Sequence, residues 1–502
     1  MAFAAPAVLE PCRLSGYEHD AVCGRVVRPL DLAVPQGRQI EIHFAVLPAL
    51  ARNKHPDPVF VFAGGPGQSA IELAGSWSRL LARVSNRRDI VLIDQRGTGR
   101  SARLACPELP PSAALGTVLP WPAQLQRIEA CREALQRLPH GDLRHYTTTV
   151  AMQDVEAVRQ SLGAPLVNLV GGSYGTRAAL EDQRQFPRAV RRLVLDGVAP
   201  PDMALPNAFS IDNQAALDAV FASCEADATG CGRRHPALRE AWRQLLAGLP
   251  SEVSVAHPLT GVVERLHLTR ELLLGLVRAP LYSPLLASAL PHALSDAARG
   301  RFEPLVGLAS GLQGARANSL AEGMHFSVVC AEDLPRMAPA AGAGAAAASA
   351  PFTPSVSSAA AAAAANAAAR LDAPGRDFAS FFADQYRAIC AGWPRGEVPA
   401  AFYSVAPAPA AALLLSGGAD PVTPPRHGER VAKALGPKAR HIVVGAAGHG
   451  VMALPCMRDV LYRFIAAADD EAALQVKADC AGAVPRPPAF VPPGAAGVGS
   501  GS

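Results

Sequence analysis

The 502-residue sequence lacks the features that mark several large classes of protein. No apolar run reaches the ~18–20 residues that a membrane-spanning helix needs, so we expect no membrane insertion. Lys and Arg number 47 against 43 Asp and Glu, and the formal charge of +4 is too small to suggest a nucleic-acid partner. No CxxC pair occurs, which argues against a zinc ribbon or a thioredoxin-like redox motif. By contrast, hydrophobic residues make up 50% of the chain, which is enough to form a sizeable buried core.

Ten cysteines are present, an even number that favours disulfides. Pairing of neighbours along the chain gives 12–23, 106–131, 224–231, 330–390 and 456–480, although the sequence leaves the connectivity open. Ten buried thiols in a cytosolic enzyme are the alternative. Disulfides imply an oxidising compartment, so we expect a periplasmic or secreted protein. The first residues lack the charged and apolar regions of a signal peptide, which is therefore expected to be absent from this chain.

Apolar runs and helical stretches alternate in the first 200 residues, as in an α/β fold with a mostly parallel sheet. Helical spacing occurs at 69–84 and 150–162. The pattern stops near residue 200 and resumes in two runs close to the C-terminus. The predicted strands are 40–47, 58–62, 90–93, 166–170, 193–195, 411–415 and 441–444.

Two blocks of this pattern therefore flank an insertion. We assign residues 1–200 and 405–483 to one α/β core, with helices on both faces of its sheet. Residues 201–404, with helix-like segments at 214–224, 238–246 and 269–277, form an inserted helical lid. Within the lid, residues 337–369 are rich in Ala, Pro, Gly and Ser and are interpreted as a low-complexity insertion. Residues 484–502, rich in Pro and Gly, are predicted to be a disordered tail.

Residues 171–175 read GGSYG and match the pattern GxSxG. They follow the predicted strand 166–170 and precede a predicted helix, which is the context that a nucleophilic serine requires. A sharp strand-to-helix turn lifts the hydroxyl of Ser173 off the sheet, and glycines on both sides let the backbones pass closely. We therefore predict that Ser173 is a nucleophile.

A serine hydroxyl needs a base, and the base needs an acid that orients it. His449 follows the last predicted strand between two glycines, and Asp420 ends the loop after the strand 411–415. The predicted catalytic order is therefore Ser173, Asp420, His449. Asp196 also follows a strand and is an alternative acid, whereas His427 is interpreted as a surface histidine at the start of a helix.

The tetrahedral intermediate of such a reaction needs backbone N–H donors. One donor is expected from Tyr174, the residue after the nucleophile, and the other from the loop AGGPGQS at residues 63–69, with Gly65 as the candidate. A phosphate-binding role for this loop is disfavoured, because neither GxxxxGK[ST] nor GxGxxG occurs.

These motifs resemble those of the α/β-hydrolase peptidases of the prolyl iminopeptidase and tripeptidyl aminopeptidase family. The resemblance covers residues 24–200 and 405–460, includes DQRGTGRS at residues 94–101, and is weak in the lid. Secreted bacterial tripeptidyl aminopeptidase-like members are more similar, given the length, the cysteines and VCAED at residues 329–333. Iminopeptidases usually have His where Ala63 stands, so strict proline specificity does not carry over.

The resemblance implies an α/β-hydrolase fold and a triad of Ser173, Asp420 and His449. It implies that residues 94–101 form a structural turn, and that acidic lid residues, here Glu332 and Asp333, bind the free α-amino group of a peptide substrate. The alternative for Asp333 is a turn cap beside a disulfide. We expect an aminopeptidase that needs no metal or organic cofactor.

A carboxylesterase with the same triad is the main alternative function, and a catalytically inactive binding relative is another. Dehalogenases and epoxide hydrolases of this fold have Asp at the position of Ser173 and are disfavoured. The sequence indicates neither the residues preferred in a substrate nor the oligomeric state.

Overall fold

Short runs of Val, Ile, Leu and Phe build a central sheet in the computed structural model, which describes residues 8–316, 320–337 and 377–492. The runs VFVF and IVLI are buried along their whole length, as is typical of parallel strands that helices cover on both faces. The strands are β1 (Leu9–Cys12), β2 (Ala21–Pro29), β3 (Gln39–Leu47), β4 (Val59–Phe62), β5 (Ile90–Ile93), β6 (Val167–Gly172), β7 (Val190–Asp196), β8 (Ser251–Ala256), β9 (Val263–Leu268), β10 (Ala412–Gly417) and β11 (Ala439–Val444).

Nine strands form one sheet in the order β1-β2-β3-β5-β4-β6-β7-β10-β11. The pairs from β5 to β11 are parallel, and β1, β2 and β3 add antiparallel pairs at one edge. Every strand predicted from the sequence lies in this sheet. The predicted mostly parallel α/β sheet is therefore confirmed.

Helices lie on both faces of the sheet, as predicted. They are α1 (Ala74–Leu80), α2 (Leu115–Val118), α3 (Trp121–Gln136), α4 (Thr148–Ser161), α5 (Tyr174–Gln185), α6 (Leu205–Ala226), α7 (Cys231–Arg234), α8 (Leu238–Ala247), α9 (Arg270–Leu281), α10 (Pro284–Ala287), α11 (Leu290–Ala297), α12 (Glu303–Arg316), α13 (Glu322–Glu332), α14 (Phe381–Ala391), α15 (Pro425–Leu435), α16 (Pro455–Ala466) and α17 (Asp470–Leu474). One face is covered by α4, α5 and α15, and the other by α1, α16 and α17.

The segment between β7 and β10 forms most of the predicted lid and has its own apolar core. Buried side chains of α6, α8, α9, α11, α12 and α14 build that core, for example Leu217, Trp242, Leu273 and Phe382. The segment also contains the antiparallel hairpin β8–β9, which the helical spacing did not predict.

Helix α13 leaves the lid and packs with the sheet. Met324, Phe326 and Cys330 join the same apolar core as Ile128 and Cys131 of α3. The lid is therefore interrupted, because the chain returns to the α/β core at α13 before β10 begins.

Two segments singled out in the sequence lie partly outside the described residues. The low-complexity insertion, 337–369, is described only at Met337. Of the tail, residues 484–492 lie against the lid, where the Phe490 N–H donates to the Ser288 carbonyl (3.0 Å) and its ring approaches His292. Residues 493–502 lie outside the described range.

All ten cysteines form disulfides, as predicted, and the connectivity that the sequence left open is the pairing of neighbours along the chain. The alternative of ten free thiols is therefore wrong. The Cys330–Cys390 bridge joins α13 to α14 and so closes a loop around the low-complexity insertion. The other four bridges close shorter stretches of chain.

Candidate active site

Ser173 lies at the sharp turn between β6 and α5. Its backbone has φ +56° and ψ −125°, a conformation that residues with a side chain rarely adopt. Its N–H donates to the Asp196 carbonyl (2.8 Å), and its own carbonyl accepts from the Thr176 N–H (2.9 Å) and hydroxyl (2.6 Å). These hydrogen bonds hold the strained turn in place at the carboxyl end of the sheet.

The glycines of GGSYG are required by close backbone approaches. A Cβ atom on Gly175 would overlap the carbonyl oxygen of Phe62 in β4, and one on Gly171 would overlap the carbonyl oxygen of Gly175. Strand β6, helix α5 and strand β4 therefore meet where no side chain fits. This geometry is the one that the GxSxG pattern predicted.

His449 and Asp420 lie in the loops after β11 and β10 and are hydrogen-bonded to each other. The His449 Nδ1 atom lies 2.8 Å from Asp420 Oδ2, and Asp420 Oδ1 accepts the N–H groups of Val422 and Thr423, both at 2.9 Å. Burial by itself would raise the pKa of Asp420, but the facing His449 and these hydrogen bonds outweigh burial and hold that pKa below its ordinary value. Asp420 is therefore an ionised acceptor that orients the imidazole.

Ser173 and His449 lie on either side of the turn formed by Asp196 and Gly197. Gly197 follows Asp196, whose carbonyl accepts the Ser173 N–H. A Cβ atom on Gly197 would lie 3.3 Å from His449 Cε1 and 3.5 Å from Nδ1, so the imidazole lies against this turn. The structure thus brings Ser173, Asp420 and His449 to the carboxyl ends of β6, β10 and β11.

Thr423 is a third partner of the His449–Asp420 pair, and no role was predicted for it from the sequence. Its hydroxyl donates to Asp420 Oδ2 (2.7 Å) and lies 3.1 Å from His449 Nδ1. The signal in the sequence was its position three residues after the acid, from which a hydroxyl can reach back to the carboxylate. Thr423 fixes the direction in which that carboxylate faces the ring.

Asp196, the alternative acid, has different partners. Its carboxylate accepts the N–H groups of Val451 and Met452 at 2.8–2.9 Å, and burial raises its pKa to about 6. The expectation that Asp196 could orient the base is therefore wrong. Instead it anchors the loop that carries His449.

His427 does lie near the start of a helix, α15, but it is not a surface residue. Its side chain is buried, with Nε2 3.1 Å from Asp212 Oδ2 of α6 in the lid. The surface interpretation is therefore wrong, and His427 joins the core to the lid.

The predicted oxyanion loop lies beside Ser173. Tyr174 is the first residue of α5, so its N–H has no acceptor within the helix. Gly65 has φ +110°, and a Cβ atom there would face Gly67, Gln68 and Leu320. A Cβ atom on Gly64 would instead lie 3.2 Å from Ser173 Cβ. The structure therefore adds Gly64 to the residues of this loop that approach the nucleophile.

The start of α13 holds this loop from the lid side. The Ala321 N–H donates to the Gly67 carbonyl (2.9 Å), and His325 Nδ1 lies 3.1 Å from the Pro66 carbonyl oxygen. Tyr386 places its hydroxyl 2.7 Å from His325 Nε2. Burial is the main cause that lowers the pKa of His325 to about 4, so the ring is neutral at ordinary pH and donates from Nδ1 to the carbonyl.

Glu332 and Asp333 lie together, fully buried, around Arg177 of α5. Asp333 accepts from Arg177 at 3.1–3.3 Å. Glu332 lies 3.5 Å from Arg177 and accepts the N–H (2.6 Å) and hydroxyl (3.0 Å) of Thr148. Burial, opposed by Arg177, raises the pKa of Glu332 to about 7. These carboxylates therefore join α13 to α4 and α5.

The segment DQRGTGRS forms the structural turn that the resemblance implied. Asp94 accepts from the Ser69 hydroxyl (2.6 Å) and the N–H groups of Ile71 and Arg100, both at 3.2 Å. Buried Arg96 forms a two-pronged ion pair with Asp154 of α4, at 2.7 and 2.9 Å. These side chains connect loops around the sheet.

Two further features concern metal ions and membranes. No group of three or more His, Cys, Asp or Glu side chains that could hold a metal ion occurs among residues 8–316, 320–337 and 377–492. Over the same part of the chain, no helix is long and apolar enough to cross a membrane.

Comparison with known proteins places these motifs in a family context. Residues 57–453 match the alpha/beta hydrolase fold family. Serine protease Hip1 of Mycobacterium tuberculosis (strain ATCC 25618 / H37Rv) is 27% identical over 328 residues, which cover 61% of this chain and 62% of that protein. Tripeptidyl aminopeptidase of Streptomyces coelicolor is 29% identical over 190 residues, covering 36% and 35%. Proline iminopeptidase of Xylella fastidiosa (strain Temecula1 / ATCC 700964) is 28% identical over 148 residues, covering 29% and 34%. The chain thus spans less than two thirds of the length of each of these relatives.

Proposed function

The chain belongs to the α/β-hydrolase fold family, and from that premise we propose that it is a serine peptidase that releases residues from the N-terminus of peptides. The proposal rests above all on the His449–Asp420 hydrogen bond beside the strained turn of Ser173. The relatives named serine protease, tripeptidyl aminopeptidase and proline iminopeptidase support a peptide as the substrate.

The reaction is an acyl transfer in two halves. The Ser173 hydroxyl attacks the peptide carbonyl while His449 takes its proton through Nε2, because Nδ1 is held by Asp420. His449 then gives the proton to the leaving amine. Water repeats the path against the acyl-enzyme and releases the acid.

The oxyanion forms between α5 and the loop after β4. The N–H of Tyr174 is one donor and a glycine of that loop is the other, with Gly65 as the residue that the sequence favours and Gly64 beside it. Loss of one such donor typically costs about 100–1,000-fold in kcat. Because both donors are backbone groups, side-chain substitution of Ala63 leaves them in place.

Recognition of the free amine is the part of the proposal that concerns Glu332 and Asp333. Glu332 and Asp333 face the single guanidinium of Arg177, so the buried group carries an excess negative charge whenever Glu332, whose pKa burial raises to about 7, is ionised. A substrate ammonium would balance that charge. The variant E332Q, which removes the charge and keeps the shape, is therefore expected to raise KM for free-amine peptides and to leave KM for acetylated peptides as it was.

A carboxylesterase is the competing enzyme, because the same three residues hydrolyse esters. An inactive relative that binds peptides is the competing non-enzyme. Neither alternative has its own supporting contact among the described residues.

Chromogenic substrates distinguish these functions. Aminoacyl and tripeptidyl anilides with free and with acetylated N-termini, and a short acyl ester, are compared in the wild type and in S173A. Cleavage of the free-amine anilides alone establishes the aminopeptidase, and ester cleavage that ignores the amine establishes the esterase. If a fluorophosphonate forms no adduct at Ser173, the enzyme proposal falls.

The proposed location is the periplasm or the extracellular space. Five disulfides support an oxidising compartment. Detection of the protein in the periplasmic or culture fraction of the producing cell, with a cytosolic marker as control, tests this.

A further inference from the structure

The lid holds a guanidinium within a group of aromatic rings. Arg278 of α9 lies 4.7 Å from the ring centre of Phe209, 4.9 Å from that of Phe382 and 5.6 Å from that of Tyr282. The face of each ring attracts the cation. Rings from α6, α14 and the end of α9 thus fix the position of Arg278.

Arg278 has no counter-charge in the part of the chain that the structure describes. The Arg278 guanidinium donates a hydrogen bond to the Tyr282 hydroxyl (2.9 Å). Its Nε is buried and has no acceptor among the described residues. The buried guanidiniums of Arg96 and Arg177 differ, because each is paired with a carboxylate. A half-buried cation with an unused donor gains from an anion that binds beside it.

One side of this arginine–aromatic cluster contacts the catalytic histidine. The Tyr282 carbonyl accepts the His449 N–H (3.1 Å), and its ring stands edge-on to the imidazole with 5.4 Å between centres. Arg278 is therefore separated from His449 by a single side chain.

The other side of the cluster reaches the oxyanion loop. Tyr386 lies one turn after Phe382 on α14, and it packs with Phe209 against the same buried group of side chains. His325 and Tyr386 in turn form the hydrogen-bonded connection to the Pro66 carbonyl. Aromatic side chains thus connect Arg278 to His449 on one side and to the loop at Pro66 on the other.

We infer that Arg278 binds a carboxylate of the peptide substrate, an inference that rests on the proposed peptidase function. A carboxylate can accept from two nitrogens of one guanidinium together, which is the two-pronged geometry that arginine favours. The carboxylate has two sources, an acidic side chain or the C-terminus of a short peptide. Either source predicts a preference of this enzyme for anionic substrates.

Matched substrates test the inference and separate the two sources. Tripeptidyl anilides with a free N-terminus carry Glu or Gln at each position in turn, and short peptides carry a C-terminal acid or amide. The wild type is expected to prefer the acidic member of at least one pair by about tenfold or more in kcat/KM. In R278Q this ratio is expected to approach one.

Arg270, on the same helix, provides the matched control. It interacts with Asp377, at the far end of α9 from Tyr282, so R270Q removes the same charge at a distance from the cluster. R270Q is expected to keep the wild-type ratio. R278K keeps the positive charge but loses the paired N–H donors of the guanidinium, so it is expected to give an intermediate ratio. It replaces R278Q in the test if R278Q does not fold.

Two outcomes overturn the inference while the proposed function stands. One is that the wild type cleaves both members of every pair equally. The other is that R278Q keeps the preference of the wild type for the acidic member. If the wild type cleaves no peptide, the proposed function fails, and calorimetric binding of the same pairs to S173A decides the inference. Tighter binding of the acidic member, abolished in S173A/R278Q, supports it, and equal binding within each pair overturns it.

Discussion

The α/β core and the lid both contribute residues to the proposed active site, but they position these residues in different ways. Ser173, Asp420 and His449 each lie in a turn directly after a buried strand, so a short stretch of sequence determines where each one stands. Arg278 in the lid is instead positioned by Phe209 and Phe382, which come from distant segments of the chain. The comparison suggests that the chemistry is encoded locally, whereas selectivity is encoded in tertiary packing.

The strongest test of the local side of this comparison is D420N. The variant keeps the shape of the side chain but favours the wrong imidazole tautomer, so kcat is expected to fall by about 10⁴-fold. Steady-state kinetics on the best anilide measure the loss, and D459N, which changes a partly exposed carboxylate on α16, is the control. Near-normal kcat in D420N would show that the turn after β10 does not carry the acid.

The junction between core and lid is expected to matter for folding. R177M leaves Glu332 and Asp333 buried without their cation, which typically costs about 3–5 kcal/mol in the free energy of unfolding. Denaturant unfolding measures this cost. R137M, which breaks an exposed pair with Glu133 on α3, is expected to cost about 1 kcal/mol or less. Equal costs would mean that the buried cluster does not fasten α13 to the core.

The sequence predicted those parts of the molecule that depend on local pattern. The strands and the GxSxG turn followed from alternation and from glycine spacing, whereas the sequence left the cysteine pairing open. Asp196 was an alternative acid because it follows a strand, as the predicted triad residues do, and His427 was interpreted as a surface residue because it lies near the start of a helix. Only the tertiary partners, the Val451 amide and Asp212, distinguish them.

Thr423 tests the comparison between core and lid more finely. It lies in the same turn as Asp420 and donates to its carboxylate, yet no role was predicted for it from the sequence. T423V removes a hydrogen bond to the charged Asp420, which is worth about 1.5–3 kcal/mol, so we expect kcat to fall by about 10–100-fold. KM should stay near its wild-type value. T423S, which keeps the hydroxyl, should restore most of the activity and the pH profile of kcat/KM. Failure of serine to rescue would make Thr423 a packing residue.

The smallest expected effect concerns a buried carboxyl far from the chemistry, in α5. Burial, and then the charge of Glu156, raise the pKa of Asp182 to about 8. Since the unfolded carboxyl titrates near about 3.9, the folded state binds more protons between these values, and stability falls as the pH rises through that window. D182N is expected to reduce this fall by about 1 kcal/mol between about pH 5 and about pH 6, measured by unfolding at both pH values. An unchanged pH dependence would show that Asp182 titrates normally.

The lid resisted prediction for a physical reason. Helix α13 is buried on almost all sides, and its Met324 and Cys330 join the core of the sheet rather than that of the lid. Periodicity reports that one face is buried but not which layer buries it. The role proposed for Arg278 likewise needed three rings, and no spacing in the sequence brings these together.

The Cys330–Cys390 bridge has a consequence for how the family can vary. With a sequence separation of 60 between its ends, it makes the alanine-rich stretch part of a covalent ring anchored on α13 and α14. The entropy of closing such a ring grows only with the logarithm of its length, so doubling the length of the whole ring would cost about 0.6 kcal/mol. Relatives can therefore gain or lose many residues there while the helices that face the oxyanion loop keep their register. A protease that cuts the ring leaves two pieces that separate only after reduction.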